Sequence, residues 1–311
     1  MMQLGGIFNI MATPFVDSPD RPIDEVSLRR LTSFQIECGV YGLTILGVLG
    51  EAAKMSVEER RRVMDVVIEE TTNRVPVVVG VSHPDTSTVI ALSQAAMAAG
   101  AAGVMIAPPR MDEFSAAEKD ERVFALYADV AAALGDDASI VVQDFPPVNN
   151  VIMSAKLLGR IAENIPAARY LKLEDPPLME KISAIRAETD RFAIFGGLGG
   201  MFLLEELWRG AAGTMTGFAF SEILVAIYQA WSRGDQGRAA KIFDHYLPLI
   251  RYENQPIINL TIRKELLRRR GAMVSGVLRD PFVPIDAGTH DELTWVLERV
   301  GIDDPTQKIT F

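Results

Sequence analysis

The residues best suited to covalent chemistry are a lysine and a glutamate in one apolar run, 169–177, with the sequence Arg-Tyr-Leu-Lys-Leu-Glu-Asp-Pro-Pro. Side chains alternate faces along a β-strand, so Lys172 and Glu174 should share a face. Apolar surroundings disfavour a charged amine, and a neutral lysine can attack a ketone to form a Schiff base. Glu174 would then move protons beside it. The alternative is a lysine at a strand end that reaches water and pairs with Glu174.

This run is the sixth of eight short apolar segments that alternate with segments of helical pattern. Strands buried on both faces indicate a parallel sheet covered by helices, and eight such units predict an α/β fold, a (β/α)8 TIM barrel. A doubly wound open sheet is the alternative. The predicted strands are 6–13, 42–46, 75–81, 103–107, 139–144, 169–174, 192–195 and 213–216.

The chain is therefore expected to comprise a catalytic barrel over residues 1–232 and a C-terminal helical extension over 233–311. Helical patterns in the extension cover 236–252, 256–270 and 290–300. In barrel enzymes the working residues lie at the carboxyl ends of the strands, which strengthens the catalytic interpretation of the lysine. The candidates at those ends are Lys172, Glu174 and Gln143 for catalysis, and Thr13, Gly47, Val48, Leu49, His83, Arg110, Asp144, Gly196, Gly197 and Met215 for substrate binding.

Composition limits the kind of partner. The 311 residues carry a net charge of −10, and the isoelectric point is near 5.0, which argues against nucleic acid or an anionic membrane. A single cysteine, Cys38, cannot form an internal disulfide, and the three histidines lack the spacing of metal ligands. No metal or organic cofactor is expected. Met1 to Gly5 lack the basic segment of a signal peptide, and the uncharged run 86–109 is interrupted by polar residues and glycines, so a cytoplasmic protein is expected.

Two motifs carry a family resemblance. Gly-Val-Leu-Gly-Glu at 47–51 resembles the Gly-Thr-Thr-Gly-Glu motif of the dihydrodipicolinate synthase and N-acetylneuraminate lyase superfamily, and Leu-Lys-Leu-Glu at 171–174 resembles its Schiff-base lysine strand. The resemblance implies a 2-oxo acid whose ketone condenses with Lys172, and a homotetramer. It also implies that the substrate carboxylate binds the amides of Val48 and Leu49. Glycines at 47 and 50 would allow the turn, although tight packing explains them equally well.

Departures from the synthase pattern bear on the substrate. The synthase motif Tyr-Asn-x-Pro is matched by Gln-Asp-Phe-Pro at 143–146, which puts Gln143 in place of a proton-shuttling tyrosine. An amide is neither an acid nor a base at neutral pH, so the proton transfers should fall to Glu174. The synthases' downstream arginine is matched by Val148 and their intersubunit tyrosine by Arg110. Condensation with an aspartate semialdehyde is therefore disfavoured.

The Gln-Asp-x-Pro and Lys-Leu-Glu-Asp runs resemble a branch of the superfamily, the 2-keto-3-deoxy-L-arabonate dehydratases. The resemblance implies dehydration of a 2-keto-3-deoxy sugar acid to 2-oxoglutarate semialdehyde, with Glu174 as the base at C3 and Gln143 orienting a hydroxyl or water. Arg110 or His83 would bind the distal end. Retro-aldol cleavage to pyruvate and an aldehyde is the nearest alternative. More distant ones are a phosphate-binding isomerase that uses 196–200, and a binding protein without turnover.

Overall fold

The computed structural model describes residues 4–311, so the first three residues of the N-terminal segment lie outside the described residues. Eight parallel strands close into a barrel in sequence order, with each strand paired to the next and the eighth paired to the first. The predicted TIM barrel is confirmed. The strands are β1 (Gly6–Ile10), β2 (Gly42–Ile45), β3 (Val77–Gly80), β4 (Gly103–Ile106), β5 (Ile140–Asp144), β6 (Tyr170–Leu173), β7 (Ala193–Gly196) and β8 (Gly213–Thr216).

Six of the eight strands are shorter than predicted, and at the end of β1 the apolar sequence continues past the end of the ladder. β1 stops pairing with β2 at Ile10, opposite Thr44, and Thr13 instead donates its hydroxyl hydrogen to the carbonyl oxygen of Gly50 at 2.7 Å. Alternation along the strands sends one set of side chains into the barrel, where they form a closed core. Its members include Phe8, Ile10, Val78, Met105, Val141, Tyr170, Phe195 and Met215.

The helices cover the outside of the barrel, and local signals define their starts. Ser56 and Glu59 form a capping box, and Asp85 caps the next helix through the Thr88 amide. A short helix after β5, which begins with two prolines, was not predicted. The helices before the tail are α1 (Glu25–Glu37), α2 (Val57–Thr71), α3 (Thr86–Ala98), α4 (Ala116–Leu134), α5 (Pro146–Asn149), α6 (Ala155–Asn164), α7 (Leu178–Glu188), α8 (Leu203–Trp208) and α9 (Ser221–Ser232).

The C-terminal extension is helical, as predicted, with α10 (Gln236–Glu253), α11 (Asn259–Arg269) and α12 (Ala287–Arg299). α11 begins three residues later than predicted, because Ile257 adopts a left-handed φ of 74° that a helix does not accommodate. α12 begins earlier, where Asp286 accepts a hydrogen bond from the Thr289 amide. Among residues 4–311, no helix combines the length and apolarity needed to cross a bilayer.

Buried ion pairs fasten the tail to the barrel. Lys264 of α11 lies 2.6 Å from Glu51, which follows β2, and Arg270 lies 2.5 Å from Glu222 of α9. Both pairs are almost fully enclosed, so each charge depends on its partner for compensation. The tail therefore covers the carboxyl ends of the strands, which is where a barrel holds its functional site.

Candidate active site

Three side chains meet at the ends of β5 and β6. Gln143 and Lys172 are paired in register across the two strands, and both point into the barrel. Glu174 follows β6, and its amide still donates to the Asp144 carbonyl, so the ladder holds it in place. Lys172 Nζ lies 2.5 Å from Glu174 Oε2, and Gln143 Nε2 donates to the same oxygen at 3.1 Å.

All three side chains are nearly closed off from solvent, with exposures of 4% for Lys172, 6% for Glu174 and 3% for Gln143. The lysine therefore does not turn outward to water, as the alternative interpretation of this run required. At 2.5 Å, a proton can pass directly from the amine to the carboxylate, which would leave a neutral amine ready to attack a carbonyl carbon.

A cavity of about 450 Å³ opens above these groups at the barrel mouth. Barrel strands form its floor, the loops after them form its sides, and the tail closes one side. The Phe145 ring lies 5.9 Å from Lys172 Nζ. The lining residues are Ile10, Val48, Leu49, Met105, Gln143, Phe145, Pro147, Val148, Lys172, Glu174, Leu198, Gly199, Thr216, Asn254, Ile257, Asn259 and Arg263.

The loop after β2 presents Val48 and Leu49 to this cavity at the start of a single turn of 3₁₀ helix, Val48–Gly50. Within residues 4–311, neither of their amides donates to a backbone carbonyl, as expected at the start of a helical turn. Glu51 ends the turn, and its carboxylate binds Lys264 and the amide of Arg279. The turn is thus held at the cavity that Lys172 also lines, and its first two amides have no backbone acceptor.

The glycines at 47 and 50 were predicted to allow a sharp turn of the backbone, and that reason is wrong. The left-handed residues of this loop are Leu46 and Glu51, with φ of 58° and 56°, whereas Gly47 has φ of −81°. A methyl group at Gly50 would stand 3.3 Å from the Met11 carbonyl oxygen. Close packing against the residue that follows β1 therefore favours glycine at position 50.

The glycine pair after β7 makes room for two carboxylates. A methyl group at Gly197 would stand 2.5 Å from Glu174 Cγ, and one at Gly196 would stand 1.8 Å from an oxygen of Glu206. A side chain at either position would therefore displace one of these carboxylates. Gly196 and Gly197 were predicted to bind substrate, but neither lies among the cavity-lining residues, and their observed contacts are with these acids.

Glu206 of α8 was missed by the sequence analysis. Burial raises its pKa to about 8, the negative charge of Glu174 adds to the increase, and a hydrogen bond from the Gly197 backbone partly offsets it. Within the described residues, no side chain donates a hydrogen bond to either of its oxygens. A neutral acid thus stands behind Glu174. Its burial was hard to predict from the sequence, because nothing in the pattern says which of two adjacent glutamates on a helix faces away from solvent.

Asp144 was predicted to bind substrate, and the structure turns it away from the cavity. It follows Gln143 in β5, so strand alternation points it outward toward α7. There it lies 2.5 Å from Lys181, and burial raises its pKa to about 6, although Lys181 opposes that shift. Asp144 ties a helix to the barrel.

Arg110 and His83 do not reach the cavity either. Arg110 forms an ion pair with Asp112 two residues along, and its side chain is 66% exposed. The imidazole Nδ1 of His83 accepts a hydrogen bond from the Asp85 amide at the start of α3. The expectation that one of them binds the distal end of a substrate is not supported by this arrangement.

The remaining predicted binding residues support the cavity from below. Gly47 leads into the turn, Thr13 holds Gly50, and Met215 belongs to the core inside the barrel. Residues that the tail and β8 contribute were not predicted from the sequence. For one of them a signal existed, because Arg263 and Lys264 are adjacent cations in the middle of a predicted helix. The residues that were not predicted are Thr216, Asn254, Asn259 and Arg263.

An eight-stranded parallel barrel with its cavity at the carboxyl ends of the strands defines a (β/α)8-barrel protein, and comparison with known proteins places it more closely. Residues 3–300 match the Dihydrodipicolinate synthetase family, so the chain belongs to that family and is a lyase of its superfamily. The suspected resemblance is confirmed. Across residues 4–311, no group of three or more His, Cys, Asp or Glu side chains is arranged to hold a metal ion.

Similar proteins differ in their named activities. The chain is 33% identical to an L-2-keto-3-deoxyarabonate dehydratase of Azospirillum brasilense over 95% of this chain and 94% of that protein. It is 30% identical to a 4-hydroxy-tetrahydrodipicolinate synthase of Rhizobium meliloti, over 96% and 98%. A crystal structure of dihydrodipicolinate synthase from Rhodopseudomonas palustris is 38% identical, with a TM-score of 0.87 over 95% of this chain and 97% of that one.

Proposed function

We propose that this protein dehydrates a 2-keto-3-deoxy sugar acid, 2-keto-3-deoxy-L-arabonate, to 2-oxoglutarate semialdehyde through a Schiff base on Lys172. The observation that carries the proposal is the contact of Lys172 with Glu174, held by Gln143 where a synthase would have tyrosine. This arrangement supplies an amine and a carboxylate but no phenol. The likeness to the Azospirillum dehydratase supports the choice of substrate.

Substrate binding would place the C1 carboxylate at the amides of Val48 and Leu49, as the family resemblance implies. The C2 ketone would then lie over Lys172. Transfer of a proton from Nζ to Glu174 leaves a neutral amine, which adds to C2 to give a carbinolamine. The carbinolamine loses its hydroxyl group as water, with a proton returned by Glu174, and an iminium ion remains.

The iminium acidifies C3, and Glu174 takes one of its protons to form an enamine. The enamine expels the C4 hydroxyl group, which leaves as water with the proton that Glu174 had accepted. Loss of a proton from C5 then gives a dienamine, and protonation at C3 gives an enol across C4 and C5. Transfer of the C5 hydroxyl proton to C4 converts this enol to the aldehyde, and water hydrolyses the iminium to release the semialdehyde and the free lysine. Gln143 cannot exchange protons in these steps, and it keeps Glu174 aligned by donating to Oε2.

The deciding experiment is a product assay with purified protein and 2-keto-3-deoxy-L-arabonate. We expect 2-oxoglutarate semialdehyde and no pyruvate, measured by mass spectrometry. Pyruvate with an aldehyde would overturn the proposal in favour of retro-aldol cleavage. Consumption of pyruvate with aspartate semialdehyde would instead indicate a synthase. Comparing five- and six-carbon 2-keto-3-deoxy acids of both configurations at C4 then defines the substrate.

Borohydride reduction tests the covalent step separately. We expect a reduced adduct on Lys172 with pyruvate and with the sugar acid, located by peptide mass spectrometry. A non-covalent isomerase would give no adduct, and a binding protein would give an adduct without product. We also propose, from the family resemblance, that the protein acts in the cytoplasm as a homotetramer, which light scattering and cell fractionation would test.

A further inference from the structure

Arg263 lies in the wall of the cavity, on helix α11, and is 2% exposed. Its Nε donates to Glu253 Oε1 at 2.6 Å. Its Nη1 is buried and has no acceptor within residues 4–311. A buried donor of a charged group that lacks an acceptor carries a full desolvation penalty, so a native structure that retains one needs a reason for it.

Two other buried cations of the same segment provide a comparison. Lys264 donates to Glu51 and to the Val277 carbonyl. Arg270 donates from both Nη atoms to Glu222, and also to the Ala219 carbonyl. Both have acceptors from the protein, and neither lines the cavity. Arg263 therefore differs from both, because it has a donor without an acceptor and lies beside the cavity that would hold a substrate.

The surroundings of Arg263 are built to admit its guanidinium at the end of β8. A methyl group at Gly217 would stand 2.4 Å from Nη1, so the arginine lies against bare backbone there. Thr216 precedes that glycine and also lines the cavity. Asn254 and Asn259 complete a polar region, which we call the distal region, formed by Thr216, Asn254, Asn259 and Arg263.

Resting on the proposed function, we propose that Arg263 determines specificity by donating a hydrogen bond from Nη1 to a hydroxyl oxygen at the end of the substrate remote from the ketone. Glu253 lies 2.6 Å from Nε and also accepts from the Ala219 amide, so the pair brings no net charge to the cavity. A second carboxylate there would lack a counter-charge. The distal region therefore selects uncharged, hydroxylated ends over dicarboxylic ones.

The test uses Arg263→Lys, which retains a cation for Glu253 and removes the forked Nη donors. We expect kcat/KM for 2-keto-3-deoxy-L-arabonate to fall roughly 10- to 100-fold, the range for one hydrogen bond from a charged donor. Trapping of pyruvate on Lys172 should be unchanged, since pyruvate has no distal end. Arg270→Lys is the matched control, with the same chemical change in the same segment but outside the cavity.

Equal losses for pyruvate and the sugar acid in Arg263→Lys would assign the residue a structural role and overturn the proposal, as would no change in either. A second variant, Asn259→Ala, keeps the proposal testable if Arg263→Lys does not fold. It should lower kcat/KM for the sugar acid and leave the trapping of pyruvate unchanged. A substrate can form the adduct with Lys172 without being dehydrated. The ratio of trapped sugar acid to trapped pyruvate therefore tests Arg263 even if the protein proves not to be a dehydratase. In wild type, a dicarboxylic 2-keto-3-deoxy acid should be trapped less readily than the monocarboxylic one, and the reverse would overturn the inference.

Discussion

The two ends of the cavity are built differently. At the reactive end, Lys172 and Gln143 sit on hydrogen-bonded neighbouring strands, so backbone register sets the distance between them. At the distal end, Arg263 comes from helix α11, which side-chain ion pairs of Lys264 and Arg270 join to the barrel. The backbone of the barrel therefore positions the groups of the proposed chemistry. The tail carries Arg263, so on our proposal a change in the tail can alter substrate specificity without moving Lys172 or Gln143.

The reactive end should fail completely when its amine is removed. In Lys172→Met we expect turnover to fall roughly 10⁴-fold or more, and the borohydride adduct to disappear, because no other lysine of residues 4–311 lines the cavity. Lys241→Met, at an exposed lysine of α10, is the control and should behave as wild type. An adduct that persists on another residue would contradict the assignment.

The carboxylate should be separable from the amine. In Glu174→Gln we expect kcat to fall about 10²- to 10⁴-fold, as for loss of a general base, while the adduct with pyruvate still forms. Rapid-quench kinetics and mass spectrometry measure the two steps. Glu180→Gln changes an exposed acid of α7 and serves as the control. Retained turnover would show that another group in the cavity acts as the base.

A smaller change should displace the same carboxylate without removing it. The added methyl group of Gly197→Ala would stand 2.5 Å from Glu174 Cγ, so the side chain must shift. A displacement near 1 Å costs about 100-fold in rate, which should appear in kcat rather than in the folded fraction. Gly237→Ala in α10, whose nearest neighbour is 3.9 Å away, should be harmless. Full activity of Gly197→Ala would show that Glu174 needs no fixed position.

The acid behind the site should affect stability more than catalysis. The folded-state pKa of Glu206 is raised to about 8 from its ordinary value of 4.5, mainly by burial. The folded protein therefore holds a proton that the unfolded chain releases, and stability is lost as pH rises toward 8, by about 1.4 kcal/mol per pH unit. Urea unfolding between pH 6 and about 8.5 should show a shallower decline for Glu206→Gln than for wild type or for Glu180→Gln, which changes an exposed acid. Identical slopes would contradict the shift.

The sequence analysis succeeded where local pattern decides structure. The alternation of apolar residues predicted the barrel and the shared face of Lys172 and Glu174, because strand geometry is periodic. It failed for Arg110 and His83, since position after a strand does not determine which way a loop side chain turns. Arg263 could not be found, because its place in the cavity depends on how a distant helix docks.

The charges between tail and barrel have a consequence for how the molecule unfolds. Glu51 and Glu222 belong to the first 232 residues, whereas their cations Lys264 and Arg270 belong to the rest. A chain cut at 232 would remove Arg270 from Glu222 and would leave Glu51 with only the partly buried Lys54 as a counterion. The boundary visible in sequence is therefore not a folding boundary, and the whole chain is expected to melt in one cooperative transition.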